Sequence, residues 1–85
     1  MALYLISYDL VGKKTIDDYE TLLNELRRLG AKEILYSEWV WRSTTTSAQI
    51  RDHLFKFMHQ TDRLLVSEIG PDWASQNVWI DINTV

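Results

Sequence analysis

Asp9 closes the apolar run Leu3-Tyr4-Leu5-Ile6-Ser7-Tyr8-Asp9-Leu10, and by type and position it is the side chain best suited to chemistry. A carboxylate where a strand gives way to a loop can hold a hard cation, since Mg²⁺ or Mn²⁺ takes oxygen ligands and Mg²⁺ is content with one or two carboxylates and several waters. One carboxylate alone makes a poor metal site. In a two-fold dimer a residue near the axis occurs twice, so two Asp9 side chains could share an ion. The structural alternative is an aspartate that fixes the following loop or caps the chain near Thr15. The best candidates for phosphate contact are Lys13, Lys14, Arg42 and Arg63, against the stronger alternative of ordinary solvated surface charge.

Other constellations offer less. His53 and His59 fall on one expected helix but six residues apart, not the four that bring two ligands to one face, and read as surface or margin residues. The hydroxyls of Ser37, Ser43, Thr44 and Thr45 lack a His or Lys base at a recognised spacing. The glycines stand scattered at 12, 30 and 70, so no phosphate-cradling loop forms. Trp39 and Trp41 could stack bases, but alternating aromatics on a strand in an acidic chain read better as core or interface.

The elements that must position Asp9 follow from periodicity. Residues 3–10 alternate with apolar side chains on both faces: Leu3, Leu5, Ser7 and Asp9 on one, Tyr4, Ile6, Tyr8 and Leu10 on the other. Such a strand belongs in the middle of a sheet covered on both sides. Thr15 caps a helix running to about Leu29, with Asp17 and Asp18 in its first turn and the stripe Ile16, Tyr19, Leu22, Leu23, Leu26 and Leu29 as its buried face. Arg27 and Arg28 suit its last turn, and Gly30 follows as a left-handed cap. Residues 33–42 return to strand alternation, Trp39 and Trp41 facing away from Val40, with a kink or tight connection near Tyr36-Ser37 able to split the run. Thr46 and Gln49 have the form of a capping box opening a second helix, whose apolar stripe is Ile50, Leu54, Phe57 and Met58, with Phe55 at its margin. A strand from Leu64 to Ile69 ends at Gly70-Pro71-Asp72, and a final strand is expected over Val78 to Ile82.

This order predicts an α+β fold of the ferredoxin-like βαββαβ kind: one domain over residues 1–85, an antiparallel sheet, two helices on one face and an extra C-terminal strand. With 85 residues, 46% hydrophobic and 25% charged, the composition is that of an ordinary globule. The absence of cysteine excludes disulfides and thiolate metal sites, and a net charge of −3 argues against a domain coated with positive charge for nucleic acid. No apolar run is long enough to span a bilayer and no signal-like segment opens the chain, so a soluble, cytoplasmic protein without membrane association is expected. The helix-free face would leave Tyr4, Ile6, Tyr8, Trp39, Trp41, Leu65 and Trp79 in water, so a homodimer burying that face is expected. The terminal strand is expected to pair with the partner's sheet edge, with pairing within its own chain as the alternative.

Three stretches carry a resemblance: Leu5-Ile6-Ser7-Tyr8-Asp9-Leu10, Ile34-Leu35-Tyr36-Ser37-Glu38-Trp39 after Gly30, and Asp62-Arg63-Leu64-Leu65-Val66. In order and length the chain resembles the small CRISPR-associated adaptation protein that partners the spacer integrase, and its relative the VapD toxin ribonuclease. The resemblance implies a ferredoxin-like homodimer with an exchanged terminal strand. It also implies a metal-dependent nuclease acting on RNA or DNA, with Asp9 as catalytic residue and ligand of Mg²⁺ or Mn²⁺. For other members it implies a non-catalytic scaffold that bridges nucleic acid and an integrase-type partner. The chain departs from the pattern at Leu35, where a polar residue is common, in the few arginines after the first strand, and in Trp39-Val40-Trp41. These departures make it similar to a divergent, SinR-like branch.

Overall fold

The computed structural model describes residues 1–12 and 15–85. The order is β1 (Ala2–Asp9), α1 (Ile16–Leu29), β2 (Lys32–Leu35), β3 (Glu38–Ser43), α2 (Ser47–Phe55), β4 (Arg63–Glu68) and a short 3-10 helix, Ile82–Thr84. The four strands form one antiparallel sheet in the order β2-β3-β1-β4, which puts the doubly apolar β1 in the interior as its alternation demands.

Local chemistry sets the element ends. Thr15 and Asp18 form a capping box at α1, each side chain satisfying the other's backbone N–H, and Gly30 closes the helix at φ 91°. Thr46 and Gln49 cap α2 in the same way. The long strand expected over 33–42 is split at Tyr36-Ser37, where Ser37 adopts φ 61° and turns the chain from β2 into β3. The apolar stripe of α1 is buried at Leu22 and Leu26 and half-buried at Leu23 and Leu29, whereas Ile16 is 79% exposed because the first turn stands clear of the core. Helix α2 stops at Phe55, yet Phe57 and Met58 beyond its end still pack on the core expected of them.

One face of the sheet carries both helices. Tyr4, Ile6, Tyr8 and Trp39 pack there against Leu22 and Leu26 of α1 and Ile50 and Leu54 of α2, with Trp41 half-buried beside them. Complete burial of Ile6, Leu22, Leu26 and Leu54 stabilises the layer by about 1.5–3 kcal/mol each. This corrects the assignment of Tyr4, Ile6, Tyr8 and Trp39 to a dimer interface: they are buried in the core of their own chain, and Trp41 packs against that core while half-buried. Alternation groups these residues on one face, but it cannot say which of two apolar faces the helices cover. The Trp39 indole N–H donates to the Tyr8 hydroxyl, and the Tyr4 hydroxyl donates to the Thr45 carbonyl, so the aromatic core satisfies its polar atoms.

The opposite face is covered by the chain's own last segment. Ile82 is buried against Leu3, Ile34 and Val40, and Val78, Ile80, Val85 and Ile69 pack around them. The expected strand over Val78–Ile82 does not form: the segment is irregular and ends in the 3-10 helix, held by the Trp79 N–H on the Ile34 carbonyl and the Arg42 guanidinium on the Val85 carbonyl. Apolar side chains at 78, 80 and 82 need only an apolar surface, and the bare sheet face supplies it without a ladder.

Candidate functional site

Asp9 ends β1 on the face opposite the helices, in register with Arg63 of β4. Arg63 Nη1 donates to Asp9 Oδ2 at 3.0 Å, and the two side chains are 73% and 64% exposed. They border an open pocket of about 230 Å³ together with Ser7 and Leu65. Next to it the Ser7 hydroxyl donates to Glu38 Oε1, drawing a second carboxylate onto this face. The arrangement can present a carboxylate and a guanidinium side by side to solvent.

As a metal site it falls short within one chain. One oxygen of Asp9 is taken by a cation, and no group of three or more His, Asp or Glu side chains among the described residues could hold an ion. Two Asp9 carboxylates brought together across a dimer axis would be needed, and Arg63 would have to turn away.

The basic candidates separate. Arg63 pairs with Asp9, and Arg42 lies half-buried under the terminal segment, its Nε donating to the Val85 carbonyl at 2.7 Å. Lys13 and Lys14 lie outside the described residues. Of the aromatic candidates only Trp79 is substantially exposed, at 56%.

A second polar cluster, which periodicity passes over, joins the two helices. Glu25 is buried on α1, yet it accepts two bonds from the Arg28 guanidinium at 2.6 Å and one from His53 Nε2 of α2 at 2.5 Å. Hydrogen bonds from Arg28, then from His53, hold its carboxyl at about 2, far below the ordinary range. His59 makes a parallel contact, its Nε2 lying 3.1 Å from Asp18 Oδ1, and Asp18 is lowered to about 2, first by the Thr15 backbone N–H and then by His59. Both histidines of the chain thus tie the α2 side of the layer to α1. The Glu25–Arg28 spacing of three was the available signal, but nothing in it marks the carboxylate as buried. A shallow apolar pocket of about 220 Å³ between Trp41, Leu29 and Ile50 adjoins this cluster.

No protein-family model matches the chain. Among the described residues no helix is long and apolar enough to cross a membrane.

Proposed function

We propose that the chain is a divergent, SinR-like relative of the CRISPR-associated adaptation protein and of VapD, with a ferredoxin-like fold, acting as a non-catalytic homodimeric scaffold. Its partners in this reading are a second copy of the chain and an integrase-type protein or a nucleic-acid backbone. The observation that carries the reading is the state of Asp9: a guanidinium occupies the carboxylate that a nuclease of this kind would give to a cation. Neutralised by Arg63, it serves to tie the end of β1 to the start of β4.

The same pair favours a second reading, a metal-dependent endonuclease acting on RNA or DNA, because a carboxylate and an arginine stand together at an open, solvent-facing pocket. Arginine binds phosphate oxygens bidentately, so a phosphodiester could displace it from Asp9 and leave the carboxylate to a Mg²⁺ or Mn²⁺ ion. One experiment separates the two. Purified protein and its Asp9→Asn variant are incubated with labelled RNA and DNA, in Mg²⁺, in Mn²⁺ and in chelator. Intact substrate in every lane is expected for the scaffold. Cleavage that needs the divalent ion and vanishes in Asp9→Asn would establish the nuclease instead.

A further inference from the structure

The two edges of the sheet are finished differently. Edge β2 is blunted: it is short, its register with β3 shifts between Glu33 and Leu35, and the Trp79 N–H already occupies the Ile34 carbonyl. Edge β4 has none of these protections. It runs Arg63-Leu64-Leu65-Val66-Ser67-Glu68 without proline, lysine or bulge, and its apolar centre is open to water, Leu65 being 59% exposed. Natural sheets seldom leave such an edge unpaired.

The ladder fixes which groups that edge presents. The Ile69 N–H donates to the Leu3 carbonyl, so residues 69, 67, 65 and 63 turn their backbone groups toward β1, and those of Leu64, Val66 and Glu68 point outward. No backbone partner meets these outward groups among the described residues. Side chains follow the complementary alternation, with Leu64 and Val66 half-buried toward the helices and Leu65 standing on the opposite face beside Ser7 and Asp9.

We propose that β4 pairs with β4 of a second copy, antiparallel about a two-fold axis at Leu65, joining the two sheets into one. The proposal rests on the homodimer reading above and replaces its face-to-face geometry with an edge-to-edge one. A two-fold axis perpendicular to a sheet must place some residue opposite its own copy, and Leu65 is the choice that matches like with like. Leu65 then faces Leu65, Leu64 faces Val66, and Arg63 faces Ser67. Leu64 and Val66 make the backbone bonds, while Leu65 takes the non-hydrogen-bonded position, where side chains approach most closely. Centring on Val66 instead would put Leu64 opposite Glu68 and Leu65 opposite Ser67, leaving the leucines unmatched. Glu68 and Asp62, which fall opposite in the Leu65 register, flank the ladder, and Asp62 is turned inward to accept the Val11 and His59 N–H groups.

The chain has no cysteine, so a single introduced thiol reports the register directly. Light scattering first gives the mass of the native chain across micromolar concentrations, and the Leu65→Cys and Ser67→Cys variants are then exposed to a mild oxidant. A dimeric mass is expected, with Leu65→Cys converting to a disulfide-linked dimer at least ten-fold faster than Ser67→Cys. Non-hydrogen-bonded antiparallel positions suit the disulfide span, whereas two copies of residue 67 would lie too far apart. Leu65→Lys, at an exposed position that the fold does not need, is expected to weaken dimerisation at least ten-fold while leaving the circular dichroism spectrum unchanged. A dimer whose Leu65→Cys form cross-links no faster than Ser67→Cys, or whose affinity survives Leu65→Lys, overturns the edge pairing and leaves the homodimer standing. A monomeric mass at every concentration overturns both.

Discussion

At the scale of single residues, Glu25 makes the sharpest test, because its carboxylate is buried and its bonds to Arg28 and His53 are the contacts that keep it charged. An ionised carboxylate can only accept, so at neutral pH the bonding Nε2 of His53 carries the proton. The carboxyl lies at about 2 in the folded chain against an ordinary value of 4.5. Its contribution to stability is therefore complete above 4.5 and is lost as pH falls from there toward about 2. Acid titration followed by circular dichroism should show stability falling through this window. Glu25→Gln should flatten that slope and cost about 1–2 kcal/mol at neutral pH, read by urea unfolding. Asp18 is lowered in the same direction, so part of the acid slope should survive in the variant.

The elements are set by their ends as much as by their stripes. Thr46→Ala removes the acceptor for the Gln49 N–H at the start of a short helix and should cost about 1 kcal/mol. The opposite sign is expected at Ser37, the residue at φ 61° in the β2–β3 turn. Ser37→Gly relieves a left-handed conformation that costs a side-chain-bearing residue about 1 kcal/mol or more, and should raise the midpoint of thermal unfolding. At Gly30 a Cβ would meet no atom within 4 Å, so any loss on Gly30→Ala comes from backbone strain at φ 91° alone.

For the whole molecule, the terminal segment decides whether one chain can hide both faces of its sheet. Ile82 is its buried anchor, and Arg42 fastens its end to β3. Ile82→Ala should cost about 2–4 kcal/mol and increase binding of a hydrophobic dye, whereas Arg42→Ala should cost about 1 kcal/mol through the lost charged hydrogen bond. An equal dye response in Ile82→Ala and the native chain would mean that the segment is dispensable. With the segment in place the helix-free face is already occupied near Leu3, Ile34 and Val40. The strip along Asp9, Arg63 and Leu65 and the edge beside it stay open, and the edge pairing proposed above uses that strip.

Legible in the sequence alone were the element order as far as β4, the interior place of β1, the Thr15 cap, the Thr46–Gln49 capping box and the Gly30 cap, because these depend on periodicity and on contacts within a few residues of one another. It also marked Tyr36-Ser37 as the place where a long strand could break. Long-range packing settles which apolar face of the sheet the helices cover, since alternation is symmetric between Tyr4, Ile6 and Tyr8 on one side and Leu3 and Leu5 on the other. That single choice moved the aromatic residues from an expected interface into the core. It decided also that residues 78–82 pack as an irregular cover, because their apolar alternation suits burial with or without a ladder. The pairing of Asp9 with Arg63, and of Glu25 with His53, joins positions far apart in the chain, and no local pattern records such partners.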